Sequence, residues 1–267
     1  MSDKKLLTAF EYFEGDKPIE TVDITNLDRI HAAVCGEPKT GKSSIIARTA
    51  RKPLLVLDGD DRRESIAGLE DVYVKTLIDT EHTNPIAWNE LEKIIANLTY
   101  AKTQNKLDIK SISIDSMTYW RKYAEHQFLN DSTGSSRAIF KVGQLKYLIP
   151  KDWDVVSGVQ AMLETLFIRL FALDIDVYAT FHTRPEKDQA KSTKTDFVYK
   201  DNLTVEPPNL KMILPKFNDV WRTFVEDGEY KVQLKPDYVF NASTVLKNVE
   251  NVEKADIQEL IKKHNSK

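Results

Sequence analysis

The sequence predicts an α/β protein with a mostly parallel central sheet flanked by helices and with C-terminal antiparallel strands. Three short runs rich in apolar residues support this prediction, at residues 30–35, 54–57 and 109–114. Such runs are typical of strands buried on both faces, as in parallel sheets. Segments with helical spacing of apolar residues separate them. Near the end of the chain, strands predicted over 220–225 and 230–234 flank Asp227-Gly228, a pair typical of a hairpin turn.

The first apolar run leads directly into GEPKTGKS, which has the spacing G-x-x-x-x-G-K-[ST]. A strand before this motif and a helix after it form its expected context. The glycines let backbone N–H groups approach phosphate oxygens, and the helix N-terminus adds unpaired donors and its positive dipole end. The alternative is a turn rich in Gly and Lys that binds no ligand. We therefore predict a nucleoside triphosphate site built from Gly36, Glu37, Pro38, Lys39, Thr40, Gly41, Lys42, Ser43 and Ser44.

The chemistry of this motif assigns roles to two of its side chains. Lys42 is expected to reach the β- and γ-phosphates, and the Ser43 hydroxyl to ligate Mg²⁺. Asp115 follows the third apolar run and is the candidate to hold the water shell of that Mg²⁺. ATP and Mg²⁺ are therefore the expected ligand and cofactor.

Polar residues follow two other predicted strands. Asp58 and Asp60 come at the end of the second run, where open α/β sheets bind their ligands. His182 follows a strand predicted over 175–181 and is itself followed by Thr and Arg. A lone histidine is often a core or surface residue, but a strand end favours contact with the nucleotide.

Composition limits the class of protein. The chain has 267 residues, a formal net charge of −3 and one cysteine, Cys35, so no disulfide can form within it. We expect a single domain over 1–267 in a reducing cytoplasm. The longest apolar segment, 155–173, contains Glu164 and Arg169, so a core helix is expected and no membrane partner. The net charge requires any nucleic-acid surface to be local.

Three other segments leave alternatives open. Residues 1–25 form an N-terminal extension with an aromatic cluster, which is either an edge strand or cap, or an anchor on a neighbouring subunit. Residues 130–136 are turn formers that predict a mobile loop, and residues 131–152 carry a local excess of two positive charges. Residues 185–203 are polar and rich in lysine with interleaved aromatics. They form either a solvated loop or one that orders on a nucleic-acid strand.

Taken together, these segments resemble a RecA-type ATPase core. More narrowly, the chain is similar to the short phage nucleotide-binding proteins grouped with single-strand annealing proteins, the fourth Sak type. The likeness covers residues 25–262. It rests on the order and spacing of GEPKTGKSS, VLDGDD, SISIDS, the Lys151-Asp-Trp153 entry to a long helix, and ATFHTR.

The resemblance implies further roles for single residues. Many such ATPases carry a catalytic Glu directly after the Asp that binds Mg²⁺, but in this chain Ser116 occupies that place after Asp115. The carboxylate that activates water would therefore be Asp60, with Asp58 as the alternate. The family position is usually Glu, so the shorter Asp implies slow turnover. His182 would sense the γ-phosphate. A cation from an adjacent subunit would complete the site, with Lys235 and Lys247 as candidates.

The two polar segments would be the DNA-facing loops. Their candidate DNA-binding residues are Arg137, Lys141, Arg184, Lys187, Lys191, Lys194, Phe197 and Tyr199. The resemblance therefore implies a DNA-dependent ATPase that binds single-stranded DNA as a homo-oligomer, a ring or a filament, and promotes annealing or recombination of phage DNA. A single-strand-binding protein is a further candidate partner. The alternative is a nucleotide-dependent loader or remodeller of a replication or packaging protein; a small-molecule kinase is a weaker third.

Overall fold

The structure, a computed structural model of the chain, describes residues 29–81, 84–131, 137–142, 145–150, 153–187 and 199–266. Within these residues the chain forms strands in the following order: β1 His31–Gly36, β2 Leu54–Asp58, β3 Val72–Thr76, β4 Ser111–Asp115, β5 Arg137–Val142, β6 Leu145–Pro150, β7 Asp176–Lys187, β8 Tyr199–Glu206, β9 Asp219–Glu226, β10 Glu229–Gln233 and β11 Val252–Lys254. The N-terminal extension predicted over 1–25 lies outside the described residues.

Helices connect most of these strands. They are α1 Lys42–Thr49, α2 Ala87–Thr103, α3 Met117–Asp131, α4 Trp153–Phe171 and α5 Ile257–Asn265. Short 3₁₀ helices occur at Arg63–Ile66, Pro208–Met212 and Leu214–Lys216. Among the described residues, none of the helices has the length and apolar character that crossing a bilayer requires.

The main sheet has nine strands in the order β11-β10-β9-β1-β7-β4-β2-β3, with β8 paired to β7. Pairing is parallel from β9 across β1, β7, β4 and β2 to β3, and antiparallel where β9, β10 and β11 pair and where β8 joins β7. The prediction of an α/β fold with a mostly parallel sheet and C-terminal antiparallel strands is confirmed. Strand β1 is central, and its last residue, Gly36, pairs with His182.

Each face of the sheet carries its own core. In β1, Ala33 and Cys35 pack into the larger core under α2, α3 and α4. Ala32 and Val34 face the opposite side, where α1 and α5 cover the sheet. Side chains alternate between the two faces along a strand, and both faces are covered here. The sequence of β1 is therefore almost entirely apolar.

The two polar segments contain more strand than we predicted. The loop expected over 131–152 includes β5 and β6, which pair antiparallel from Arg137 with Pro150 to Val142 with Leu145. The loop expected over 185–203 is shortened from both ends, because β7 continues to Lys187 and β8 begins at Tyr199. Apolar residues alternate with charged ones in RAIFKV, a strand pattern that the neighbouring turn formers obscured.

The spacing of Ile257, Leu260 and Ile261 predicts a C-terminal helix over 252–264, and this helix begins later than expected. Residues 252–254 form β11, and α5 starts only after Asp256, whose carboxylate accepts a hydrogen bond from the Glu259 N–H at 3.1 Å. An N-cap of this type satisfies a backbone donor that the first turn leaves unpaired. The cap therefore sets the start of α5.

Candidate nucleotide-binding site

A cavity of about 540 Å³ lies where the parallel strands end. It collects residues from the loop between β1 and α1, the segment after β2, the end of β4, strand β7 and strand β10. Its lining comprises Pro38, Lys39, Gly41, Lys42, Ser43, Ser44, Asp60, Arg62, Glu64, Asp115, His182 and Tyr230. The carboxyl ends of parallel strands are where open α/β sheets bind ligands, so this cavity is the candidate site.

The loop from Gly36 to Gly41 depends on both glycines. Gly41 has a φ of +84°, and a Cβ there would lie 2.7 Å from the Tyr230 ring. A Cβ on Gly36 would lie 2.6 Å from the Thr223 hydroxyl and 2.7 Å from the Thr223 carbonyl oxygen. The chain thus passes close to β9 and then turns into α1 in a conformation that suits glycine. The first N–H groups of α1 are thereby aimed at the cavity.

The remaining loop residues lie at the surface of this turn. Glu37, Pro38 and Lys39 are exposed. The Thr40 hydroxyl donates to the Glu37 carbonyl oxygen at 2.8 Å. These contacts hold the loop open toward the cavity, and the loop offers it backbone groups and the Lys39 side chain.

Lys42 is buried beneath the loop. Its Nζ donates to the carbonyl oxygens of Gly36 at 3.0 Å and Glu37 at 2.7 Å. Burial lowers the pKa of Lys42 to about 8, although the nearby Asp115 carboxylate acts in the opposite direction and raises the pKa. An ammonium group carries three N–H donors, so an anion in the cavity can be bound alongside these two contacts.

Ser43 and Asp115 lie together on the floor of the cavity. The Thr180 hydroxyl donates a hydrogen bond to the Asp115 carboxylate, and the Ser43 hydroxyl lies beside it. Burial raises the pKa of Asp115, and these two hydroxyls oppose the rise. A hydroxyl beside a carboxylate suits Mg²⁺, which prefers oxygen ligands and is usually held by one or two carboxylates together with substrate phosphates and waters.

The described residues contain no cluster of three or more His, Cys, Asp or Glu side chains placed to hold a metal by themselves.

The two acidic residues after β2 occupy different positions. Asp58 is buried, and its carboxylate accepts hydrogen bonds from the Thr76 hydroxyl and the Asp60 N–H, both at 3.1 Å. Asp58 therefore stabilises the turn and does not line the cavity. Asp60 does line it. Burial, followed by the Asp115 charge and the contact with Asp58, raises the pKa of Asp60 to about 7.

Helix α3 holds this turn in place. The Tyr123 hydroxyl donates to the Gly59 carbonyl oxygen at 2.6 Å, and Trp120 Nε1 donates to the Leu57 carbonyl oxygen at 3.3 Å. Since α3 begins directly after Ser116, the end of β4 and the end of β2 are fixed to the same helix. Asp60 is thereby placed relative to Asp115.

His182 pairs with Gly36 in the middle of β7 and not at a strand end as predicted, because β7 continues to Lys187. Burial, with Lys42 and Arg62 nearby, lowers the pKa of His182 to about 4, so the ring is neutral at pH 7. Its Nδ1 is buried and has no hydrogen-bond partner among the described residues. A neutral imidazole carries one donor and one acceptor, and His182 can offer either to a group in the cavity.

The predicted DNA-binding residues that the structure describes are not among those that line this cavity. Arg184 is exposed on β7 and pairs with Glu206 at 3.1 Å. Arg137 and Lys141 lie on β5, Lys187 ends β7, and Tyr199 begins β8. The others, Lys191, Lys194 and Phe197, lie outside the described residues.

The two candidate trans cations also lie outside the lining of the cavity. Lys235 Nζ donates to the Val249 carbonyl oxygen at 2.8 Å, so this ammonium contacts its own chain. Lys247 is exposed, and its backbone N–H donates to His264 Nδ1 at 2.9 Å.

Comparison with known proteins adds no assignment to this geometry. No model of a known protein family matches the chain, and no curated protein matches it.

Five residues of the site were not predicted from the sequence. Arg62, Glu64 and Tyr230 line the cavity, Thr180 donates a hydrogen bond to Asp115, and Tyr123 fixes the turn before Asp60. Arg62 alone carried a usable signal, since it follows Asp60 by two residues in a segment that leaves a parallel strand.

A second cavity, of about 490 Å³, lies between β8, β9 and the segment 237–243. Its walls are mainly apolar, with Phe217 and Phe240 among them and the exposed Tyr238 at its edge. It contains none of the residues of the phosphate loop.

Proposed function

We propose that this protein is a Mg²⁺-dependent ATPase whose substrate binds in the cavity at the phosphate loop. The observation that supports this most directly is the convergence of Lys42, Ser43 and Asp115 in the lining of this one cavity. These groups come from two separate strand ends. Their meeting at one point is what a triphosphate–Mg²⁺ site requires.

In the proposed complex, the backbone of the loop and the N-terminus of α1 bind the phosphates, and Lys42 neutralises charge on the β- and γ-phosphoryl oxygens. Ser43 and Asp115 would hold Mg²⁺, directly or through water. Bound there, Mg²⁺ supplies Lewis-acid stabilisation of the negative charge that develops during phosphoryl transfer.

Asp60 is proposed to orient and deprotonate the attacking water. It lines the cavity, and its pKa of about 7 matches a general base that works near neutral pH. Ser116 is buried at 1% exposure and has no basic group, so it is unsuited to this role. The short Asp side chain favours slow turnover, because it reaches less far toward water than Glu.

More specifically, we propose that the protein is a RecA-like ATPase that binds single-stranded DNA as a homo-oligomer and promotes annealing or recombination. Two features support this. Strand β7 lies between β1 and β4, and its residue His182 pairs with Gly36 and lines the cavity, which supports a role in sensing the γ-phosphate. The same strand continues to Lys187, within the predicted DNA-facing segment.

This connection suggests a switch. A change in the hydrogen bonds of His182 on hydrolysis would be transmitted along β7 to the DNA-facing segment. Hydrolysis would thereby lower the affinity for DNA. Helix α3 provides a second link, because it runs from Asp115 and Ser116 toward β5, which carries Arg137 and Lys141.

The test is ATP hydrolysis with and without single-stranded DNA, together with DNA binding measured over a range of salt concentrations. We expect DNA to stimulate hydrolysis, and the affinity for DNA to fall steeply with added salt as counterions compete. Hydrolysis that DNA does not affect, with no DNA binding, would contradict the DNA-dependent part and favour a loader or remodeller of a partner protein.

A further inference from the structure

Arg62 is an arginine of the same chain on the wall of the phosphate-loop cavity. The wall is the segment after β2, from Asp60 to Ile66, which returns toward α1 and is anchored by Ile66 in the core under that helix. Asp60, Arg62 and Glu64 all line the cavity from this segment. The next residue, Arg63, does not line it and pairs with Asp61 at 3.8 Å.

The guanidinium of Arg62 currently contacts the residue proposed as the base. Its Nε lies 3.5 Å from Asp60 Oδ2, while the Arg62 side chain is 65% exposed and that of Asp60 only 6%. Charge-assisted hydrogen bonds of this type are usually about 2.7–2.9 Å long, so this ion pair is loose. An exposed arginine side chain can change rotamer without disturbing the core, whereas the buried carboxylate stays in place.

We propose that Arg62 binds the terminal phosphate of the bound triphosphate and, by moving to it from Asp60, uncovers the Asp60 carboxylate for the attacking water. This inference rests on the proposed function and specifies how the same site responds to its substrate. Arg62 would then touch the substrate directly, and its exchange of partners would make the base available only when a triphosphate is present.

The chemistry of the two partners favours this exchange. A terminal phosphate carries more charge than one carboxylate and matches the planar guanidinium in bidentate fashion. The positive field of Arg62 already reaches the phosphate-binding groups, since it lowers the pKa of both Lys42 and His182. A diphosphate lacks the terminal group, so Arg62 would remain with Asp60 and the site would hold ADP in an inactive state.

The proposed movement of Arg62 also bears on whether a neighbouring subunit must supply a cation to the site. A cation supplied in trans was predicted from Lys235 or Lys247, and neither lines this chain's own cavity. With Arg62 the site contains a cation of its own, so basal hydrolysis would not require a neighbouring subunit. DNA or assembly would then act on an already competent site.

The experiment compares wild type with Arg62→Ala, Arg62→Lys and the matched control Arg63→Ala. Affinities for ATP and ADP are measured by calorimetry, and kcat and KM by steady-state hydrolysis. We expect Arg62→Ala to lower kcat by about 100-fold or more, in the range found when a phosphate-directed arginine is removed. Affinity for ATP should fall by about tenfold while affinity for ADP stays unchanged.

Two further measurements separate a direct role from a structural one. Added guanidinium ion should restore part of the activity of Arg62→Ala, and it should not affect Arg63→Ala. Arg62→Lys should retain the ATP affinity better than the activity, because lysine supplies charge without the planar fork. Unchanged ADP affinity and an unchanged thermal midpoint show that each variant is folded.

The outcomes distinguish this inference from the function on which it rests. If wild type hydrolyses ATP and Arg62→Ala behaves like Arg63→Ala, the role of Arg62 is refuted and the ATPase stands. Equal losses of ATP and ADP affinity in Arg62→Ala also refute it. If wild type neither binds nor hydrolyses ATP, the proposed function itself is wrong.

Discussion

Thr180, in β7, donates a hydrogen bond to Asp115, the last residue of β4. On the other side of β7 lies β1, which leads through the phosphate loop to Ser43 beside the same carboxylate. A hydroxyl and a carboxylate are thus held together by the register of three parallel strands. This arrangement supports the proposal that the floor of the cavity receives Mg²⁺ together with a triphosphate.

Replacing Lys42 should abolish hydrolysis without unfolding the chain. Lys42→Ala removes the buried cation proposed to stabilise the transferring phosphoryl group, and we expect a loss in kcat of about 100-fold or more. The loss of two hydrogen bonds to the loop carbonyls is offset by the relief of a buried charge, so stability should change by about 1 kcal/mol or less. Steady-state hydrolysis and thermal unfolding measure the two effects.

Lys93→Ala is the control, since Lys93 is an exposed lysine on α2 that pairs with Glu90 and does not line the cavity. Turnover that survives in Lys42→Ala at the wild-type rate would refute the assignment of the phosphate loop.

The affinity for ATP should decrease on the alkaline side of pH 8. Burial holds the pKa of Lys42 at about 8, so the free protein loses this charge as the pH rises, while binding requires it. For one such proton, the dissociation constant should increase roughly eightfold between pH 7.5 and 9. Arginine stays protonated over this range, so Lys42→Arg should show no such increase, whatever its absolute affinity. Parallel pH dependences in the two proteins would contradict the account.

Asp60→Asn should lower kcat by about 100-fold, the usual contribution of a general base, with little change in ATP affinity. Asp61→Asn is the control, because Asp61 is exposed next to it and pairs with Arg63 outside the cavity. If Asp60→Asn retains full activity, another group must activate the water.

The same variant should also be more stable than wild type at pH 8. The folded pKa of Asp60 is about 7, above the ordinary value of 3.8. The folded chain therefore binds the proton more tightly than the unfolded chain, and stability falls as the pH rises from about 4 to 7. Asparagine removes this loss, so Asp60→Asn should gain about 1–2 kcal/mol at pH 8. The gain should disappear near pH 4, where Asp60 is protonated in wild type; a gain independent of pH would indicate another cause.

Gly41→Ala should prevent ATP binding by two combined effects. Alanine at a φ of +84° is strained by about 1 kcal/mol, and its Cβ would lie 2.7 Å from the Tyr230 ring. Gly68→Ala isolates the first effect, because Gly68 has a φ of +76° and no heavy atom would lie within 4 Å of its Cβ. Both variants should lose similar stability, and only Gly41→Ala should lose affinity for ATP. Equal affinities would show that the loop tolerates the methyl group.

The strands of the central sheet could be predicted because burial on both faces requires apolar residues at consecutive positions, a pattern visible in the local sequence. Each parallel strand appears as a short apolar run, and the residues after it fall at one edge of the sheet. For that reason Lys42, Ser43, Asp60, Asp115 and His182 could all be placed near one another before the structure was known.

Other parts of the site depend on contacts that no local pattern contains. Thr180 lies in a buried strand, where a threonine resembles any β-branched core residue. Arg62 faces the cavity only because its segment returns toward α1 through Ile66. Asp58 and Asp60 could not be distinguished by position alone, since the hydrogen bond from Thr76 that occupies Asp58 comes from the neighbouring strand β3.

The most direct test of the central claim is ATP binding by wild type and Asp115→Asn, each measured with Mg²⁺ and with EDTA. The account predicts that Mg²⁺ strengthens binding to wild type by about tenfold or more and that Asp115→Asn loses this gain, as expected when a residue that holds the metal is removed. No ATP binding by wild type, or an equal gain from Mg²⁺ in both proteins, would contradict it.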